Sequence, residues 1–323
     1  MEFSNILVRA TNWVGDAVMC LPVLRAIRGR FPQAHIAILA KPAVADLYAR
    51  ESCADEVIRY EGEPGQVARN LRPRGFDCAI LLQNAFEAAW IAWLARIPNR
   101  IGYNRDGRGL LLTHPVPVPK RGEIPRHERF YYLELLRRAG LIANLPESPM
   151  IRLEHAAATP ARIIGVSPGA AYGNAKRWLP ERFAESAGKL AARRGASVAL
   201  FGSAAERSVC EQIAGLLNGH SVVNYAGQTT LAQFIDLAAG CELFLTNDSG
   251  AMHIASALGV PTVAIFGATD DLATGPTGAK ARVVREPVEC SPCLLRECPI
   301  DHRCMRCVST DRVVEEALAL LID

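Results

Sequence analysis

Short apolar runs alternate with amphipathic stretches along almost the whole chain, and their spacing predicts strands and helices in turn. Ile6-Leu7-Val8 reads as a buried strand, and 17–30 as an amphipathic helix that ends before Pro32. Residues 36–39 form the next strand, followed by a helix near 43–50, a strand at 56–60, a strand from Asp77 to Leu82 and a helix at 85–95. The stretch 98–126 is rich in proline and glycine and reads as loop, and 127–139 is helical again. The polar stretch from Asn144 to Pro160 reads as a linker.

Beyond the linker the pattern restarts. Strands are expected at 163–166, 197–201, 243–246 and 262–266, and helices at 180–193, 204–217, 230–239, 251–258 and 311–321. Such alternation predicts α/β structure with parallel sheets covered on both faces. We expect two doubly wound, Rossmann-like domains, 1–158 and 159–323, facing across a cleft. In sheets of this kind ligands sit beyond the carboxyl ends of the strands.

Half the residues are hydrophobic and about a fifth charged, a globular profile. No apolar stretch reaches the roughly eighteen residues that a membrane span needs. Met1 to Asn5 lacks the basic start and long apolar run of a signal peptide, so a cytoplasmic location is expected. Cys20, Cys53, Cys78, Cys210 and Cys241 stand in apolar surroundings and read as small core residues.

The net charge of +3 is unevenly spread. Residues 1–158 carry 21 Lys+Arg against 16 Asp+Glu, and the segment 96–138 carries ten basic residues against four acidic ones. That segment reads either as a surface for an anionic partner or as a solvated loop region. Nucleic acid is not expected there, because no recognised module and few interleaved aromatics are present.

Four loops follow predicted strands. The first, Thr11-Asn12-Trp13-Val14-Gly15-Asp16, has neither the glycine pattern of a dinucleotide fold nor a P-loop lysine. Its carboxylate, Asp16, reads as a helix N-cap or as a general base. The second, Ser167 to Trp178, offers Gly169, Ala170 and the Lys176-Arg177 pair. Small residues there suit a diphosphate, and a lysine charge suits a leaving group. In the third, Gly202 to Glu206, Glu206 is placed to accept from ribose or base hydroxyls and amines. The fourth is Asn247-Asp248-Ser249-Gly250-Ala251-Met252-His253, a strand-to-helix turn. A helix start with capping residues and a glycine is an anion site, and His253 lies one turn further on.

These residues in this order resemble glycosyltransferase family 9, the bacterial lipopolysaccharide heptosyltransferases of the two-domain GT-B fold. The resemblance spans essentially the whole chain. Asn12-Trp13-Val14-Gly15-Asp16, Pro168-Gly169-Ala170 and Arg100-Ile101-Gly102-Tyr103 make it strongest with the members that add the second heptose. It implies transfer of L-glycero-D-manno-heptose from ADP-heptose onto the first heptose of the inner core, with inversion and no cofactor required for catalysis. It implies Asp16 as base, Lys176 at the donor phosphates, Asp248, Ser249, Gly250 and His253 in the donor turn, and Glu206 on the nucleoside side. The acceptor implied is a heptosyl-Kdo2-lipid A type glycolipid, with Arg105, Arg108 and Lys120 on the basic surface that meets it. Peripheral contact with the inner face of the inner membrane follows from that acceptor.

Cys290-x-x-Cys293, Cys298 and Cys304-x-x-Cys307 stand apart from this scheme. Two CxxC pairs ten residues apart read as a structural zinc site, with free thiols or a disulfide as the alternatives. Two rival functions remain at this point: a GT-B sugar-nucleotide epimerase, which would share the nucleotide loops but not the basic surface, and a zinc-dependent binding module built on 290–307. Heptosyltransferases of other acceptor choice are also compatible with these motifs.

Overall fold

The computed structural model describes residues 1–155 and 161–321. The chain forms two compact units, Met1–Glu154 and His155–Asp323. The boundary expected between residues 158 and 159 lies outside the described residues.

The first unit runs β1 (Asn5–Arg9), α1 (Val14–Met19), α2 (Leu21–Arg30), β2 (His35–Ala40), α3 (Pro42–Tyr48), β3 (Glu56–Arg59), α4 (Pro64–Leu71), β4 (Cys78–Leu81), α5 (Phe86–Leu94), β5 (Asn99–Tyr103), β6 (His114–Val116) and α6 (Glu128–Arg138). Its six strands are all parallel, in the order β3-β2-β1-β4-β5-β6. That is the doubly wound order, whose direction reverses between β1 and β4. The single helix expected over 17–30 is two helices meeting at Cys20, because Pro22 opens a new first turn. Prolines likewise start α3 and α4, where their missing N–H is not needed.

The second unit repeats the plan: β7 (Ala161–Ser167), α7 (Pro180–Arg194), β8 (Ser197–Leu200), α8 (Arg207–Leu216), β9 (Val222–Asn224), α9 (Leu231–Ala239), β10 (Cys241–Asn247), α10 (Gly250–Ala257), β11 (Thr262–Ile265), α11 (Asp271–Thr274), β12 (Ala281–Val284), α12 (Arg303–Arg306) and α13 (Thr310–Ala319). The order is β12-β11-β10-β7-β8-β9, again parallel throughout, with its reversal between β7 and β10. Thr230 and Gln233 cap α9 reciprocally, the hydroxyl accepting from Gln233 N at 3.2 Å and Thr230 N donating to Gln233 Oε1 at 2.9 Å.

The central strands are buried on both faces, as the continuous apolar runs require. In the second unit Ile164, Val166, Leu243, Leu245, Val263 and Ile265 pack under Phe183, Leu190, Ile213 and Val313. Cys20, Cys53, Cys78, Cys210 and Cys241 are all buried free thiols, as expected of core residues. Among the described residues no helix is long and apolar enough to cross a membrane.

Candidate active site

Loops expected to carry chemistry follow the strands at the reversal of strand order, β1 in the first unit and β7 and β10 in the second, while the loop carrying Glu206 follows β8, one strand further out. In the first unit Asp16 occupies the first turn of α1, just after β1. It is not the N-cap; that position is Trp13, which makes no side-chain capping bond. Asp16 Oδ1 accepts from Tyr132 Oη of α6 at 2.9 Å. Burial, with the charges of Cys20 and Asp16 next, pushes the Tyr132 hydroxyl far above its ordinary value, so it stays protonated and donating. Glu128, one helical turn before Tyr132, is half-buried nearby. Burial first and the negative charge of Asp16 second raise its carboxyl above the ordinary range.

Glu128 also lines a pocket of about 410 Å³ with Lys120, Arg121, Arg126, His127 and Tyr131. Three cations around one hollow, with the single carboxyl of Glu128 in its wall, make a place that favours an anionic ligand. Lys120 lies in the wall of this hollow. Arg105 is exposed beside it and donates to Tyr131 Oη at 3.4 Å.

Arg108 is a correction. It is completely buried, not part of a basic surface. Its guanidinium donates to Tyr103 O at 2.9 Å, to Asn84 Oδ1 at 3.1 Å and to Gln83 O, tying β5 to the loop after β4. Burial lowers its pKa to about 10, and it remains a cation at neutral pH.

In the second unit the Lys176 ammonium meets Asp248 Oδ2 at 2.6 Å, and Thr269 Oγ1 donates to the same oxygen at 2.6 Å. Asp248 is buried and Lys176 mostly so. Asn247 locks the two loops together: its side chain accepts from Trp178 N at 2.9 Å and donates to Pro168 O at 2.7 Å. Ser249 is the N-cap of α10, yet its hydroxyl makes no capping bond and instead lies 3.1 Å from Thr246 Oγ1. Ser249, Gly250 and Ala251 are within reach of solvent, while His253 is buried one turn into the helix. A lysine with three donors beside an uncapped helix start is a site for a phosphate oxygen.

Glu206 joins this group. Its carboxylate lies directly over Gly169, where a Cβ would approach Oε1 to 2.0 Å, so glycine there lets the loops after β7 and β8 touch. The same carboxylate accepts from Ser203 N at 2.8 Å and Ser203 Oγ at 2.9 Å as one half of a capping box. Ala170, next along, is buried.

The cysteine-rich stretch has a role that its spacing did not reveal. Its backbone clasps the loop carrying Lys176: Ala175 N donates to Arg296 O at 3.0 Å, Cys298 N to Asn174 Oδ1 at 3.3 Å and Tyr172 Oη to Leu294 O at 2.8 Å. The Tyr172 ring takes Lys176 at 4.7 Å and Arg296 at 5.3 Å. The zinc expectation for Cys290, Cys293, Cys304 and Cys307 is not met. Among the described residues no group of three or more His, Cys, Asp or Glu is placed to hold a metal ion. The sulfurs sit in different environments: Cys290 and Cys307 are exposed, and Cys304 is buried against Gly267. All are free thiols, and burial pushes Cys304 up to about 11.

Tyr132, Glu128 and Thr269 were not anticipated. The signal for the first two was present, since Glu128 and Tyr132 stand four apart on one helix within the basic segment. Thr269 belongs to a small polar loop after β11 that resembles any strand end.

Known proteins share this sequence pattern and fold. The family model "Glycosyltransferase family 9 (heptosyltransferase)" matches residues 65–303. Lipopolysaccharide heptosyltransferase 2 of Salmonella typhimurium is 32% identical over 306 residues, covering 87% of this chain and 88% of the relative. The enzyme of the same description from Escherichia coli is 32% identical over 308 residues, with 87% and 88% covered. The solved structure of E. coli ADP-heptose LPS heptosyltransferase II superposes with a TM-score of 0.83 at 32% identity, covering 100% of this chain and 99% of that one.

Proposed function

This chain belongs to glycosyltransferase family 9, and we propose that it transfers L-glycero-D-manno-heptose from ADP-heptose onto the first heptose of the lipopolysaccharide inner core. The feature that carries this reading is the Lys176–Asp248–Thr269 cluster beside the uncapped start of α10. Such a cluster suits the diphosphate of a nucleotide sugar, and the relatives are named for that donor and acceptor. Glu206, over Gly169, is on hand for the nucleoside hydroxyls.

In this mechanism Asp16 takes the proton of the acceptor hydroxyl. The acceptor oxygen bonds to the anomeric carbon from the face opposite the diphosphate. The bond from that carbon to the phosphate oxygen breaks, and ADP leaves with the electron pair, so configuration inverts. Charge grows on the leaving diphosphate during this step, and Lys176 with the α10 helix start stabilises it. Family chemistry of this kind needs no cofactor.

The acceptor in this reading is a heptosyl-Kdo2-lipid A type molecule, whose carboxylates and phosphates suit the pocket of Lys120, Arg121 and Arg126. Its lipid brings the enzyme to the inner face of the inner membrane as a peripheral protein. The decisive experiment is turnover of purified ADP-heptose with defined core acceptors carrying zero, one or two heptoses. ADP release with the one-heptose acceptor alone is the expected result. Preference for the zero- or two-heptose acceptor would reassign the acceptor, and no transfer to any of them would overturn the reading.

A further inference from the structure

The exposed residues of helix α5 are aromatic, and its one charged residue, Glu87, is half-buried. Phe86, Trp90 and Trp93 recur at i, i+4 and i+7, which places them on one stripe, and they are 43, 43 and 48% exposed. The Phe86 and Trp90 rings meet edge to face with centroids 5.8 Å apart. The other side of the helix, Ala89, Ile91, Ala92 and Ala95, packs in the core of the first unit. A surface helix ordinarily turns charged residues outward, so an aromatic stripe there marks a surface meant to be covered. Leu110, in the short turn Gly109–Leu111 that packs beside α5, is 98% exposed and extends the patch.

Cations edge the patch. Arg72 donates through Nε to Leu94 O at 2.9 Å at the end of α5, and Arg96 follows two residues later; both are exposed. The stripe begins at Phe86, just beyond β4, the strand beside the one that leads to Asp16.

We propose that the aromatic face of α5, with Leu110, Arg72 and Arg96, is the surface by which this enzyme rests on an anionic lipid bilayer. The inference deepens the reading of a lipid-linked acceptor and rests on it. Tryptophan and phenylalanine are favoured at the boundary between headgroups and acyl chains, and arginines are drawn to anionic headgroups. A symmetric pairing of two copies through this face would bring arginine patches of like charge together, whereas an anionic bilayer complements them.

The test is sedimentation of the full chain with vesicles, and tryptophan emission alongside it. Vesicles of phosphatidylethanolamine with phosphatidylglycerol should bind the wild type and shift its emission to the blue, and phosphatidylcholine alone should bind it less. The exposed double substitution W90S/W93S should weaken vesicle binding about tenfold or more, as expected for two interfacial side chains withdrawn from the bilayer. R72Q/R96Q should remove the preference for anionic lipid. Turnover on a deacylated, water-soluble acceptor should be unchanged in W90S/W93S, which also shows that the variant is folded. Vesicle binding equal to wild type in W90S/W93S would overturn the proposal. So would a dimer that W90S/W93S breaks in the absence of any vesicle binding. Absence of turnover by the wild type on the water-soluble acceptor would fault the proposed reaction, and the vesicle data would still judge the surface.

Discussion

Tyr132 donates its hydroxyl to Asp16 Oδ1 at 2.9 Å across a sequence separation of 116 residues. A carboxylate carried on the first turn of α1 is thereby held by a side chain from α6. Asp16→Ala should lower kcat by roughly 10²–10⁴ with ADP affinity nearly intact, the loss typical of a positioned acid–base group. Tyr132→Phe removes only one hydrogen bond, worth roughly 0.5–1.5 kcal/mol net, so kcat should fall about tenfold or less with donor KM unchanged. Full turnover by a folded Asp16→Ala protein would remove that residue from the mechanism. A Tyr132→Phe variant with lower Tm and unaltered kcat would make Tyr132 structural.

Glu128 supplies a pH test. Burial, and then the negative charge of Asp16, hold its carboxyl above the ordinary range in the folded protein. A raised folded value means that the native state binds this proton more tightly than the unfolded chain. The stability it contributes is complete below the ordinary carboxylate value and is lost as pH rises through the folded one. Glu128→Gln cannot ionise, so its Tm relative to wild type should climb over that window. Paired thermal unfolding from about pH 4 to about pH 8 checks this, and an offset independent of pH would contradict it.

The donor site should respond as one unit. Lys176→Ala and Asp248→Ala should each weaken ADP-heptose binding, and Lys176→Ala should slow chemistry as well. Because the two groups touch at 2.6 Å, the double variant should lose less than the sum of the singles. Calorimetric titration with ADP reads the first effect and single-turnover rates the second. Unchanged donor affinity in both single variants would count against the site.

Two arginines close in sequence should behave in opposite ways. If the pocket of Lys120, Arg121 and Arg126 receives an anionic acceptor, acceptor KM should rise with salt more steeply than donor KM. Arg105→Gln with Lys120→Gln should flatten that dependence. Arg108→Ala should instead destabilise the first unit by roughly 3 kcal/mol or more, since three acceptors lose their donor, as denaturant unfolding would measure. Equal salt sensitivity of both substrates would leave the basic segment a solvated surface.

The central strands were legible because they are apolar almost without interruption: Ile6 to Val8, Ile36 to Leu39, Leu243 to Thr246 and, of the expected 262–266, Thr262 to Ile265 all proved to be sheet. The strands β5, β6, β9 and β12 were not anticipated. His114-Pro115-Val116 carries a proline, Asn99 to Tyr103 opens on two polar residues, and Val222 to Asn224 and Ala281 to Val284 lie at sheet edges with part of their side chains in water. Edge strands owe their existence to a neighbour already in place, which hydrophobic pattern alone does not record. The site divides along the same line. Asp16, Lys176 and Asp248 stand at the ends of readable strands, whereas Arg108 looked like any surface arginine until three oxygens from distant backbone and side chain closed around it.

The clasp between the loop carrying Lys176 and the cysteine-rich stretch has a consequence for how the enzyme is made. Gly173 packs so tightly that a Cβ there would come within 2.2 Å of Arg296 O, and Tyr172 bonds to Leu294 across 122 residues. A chain growing from its amino end has synthesised Lys176, Glu206 and Asp248 long before Leu294 and Arg296 emerge. All three side chains are then present, but the loop that carries the lysine still lacks the wall it leans on. If Lys176 serves the proposed donor, competence for the nucleotide sugar arrives only once residues 294–298 have been made and have closed on its loop.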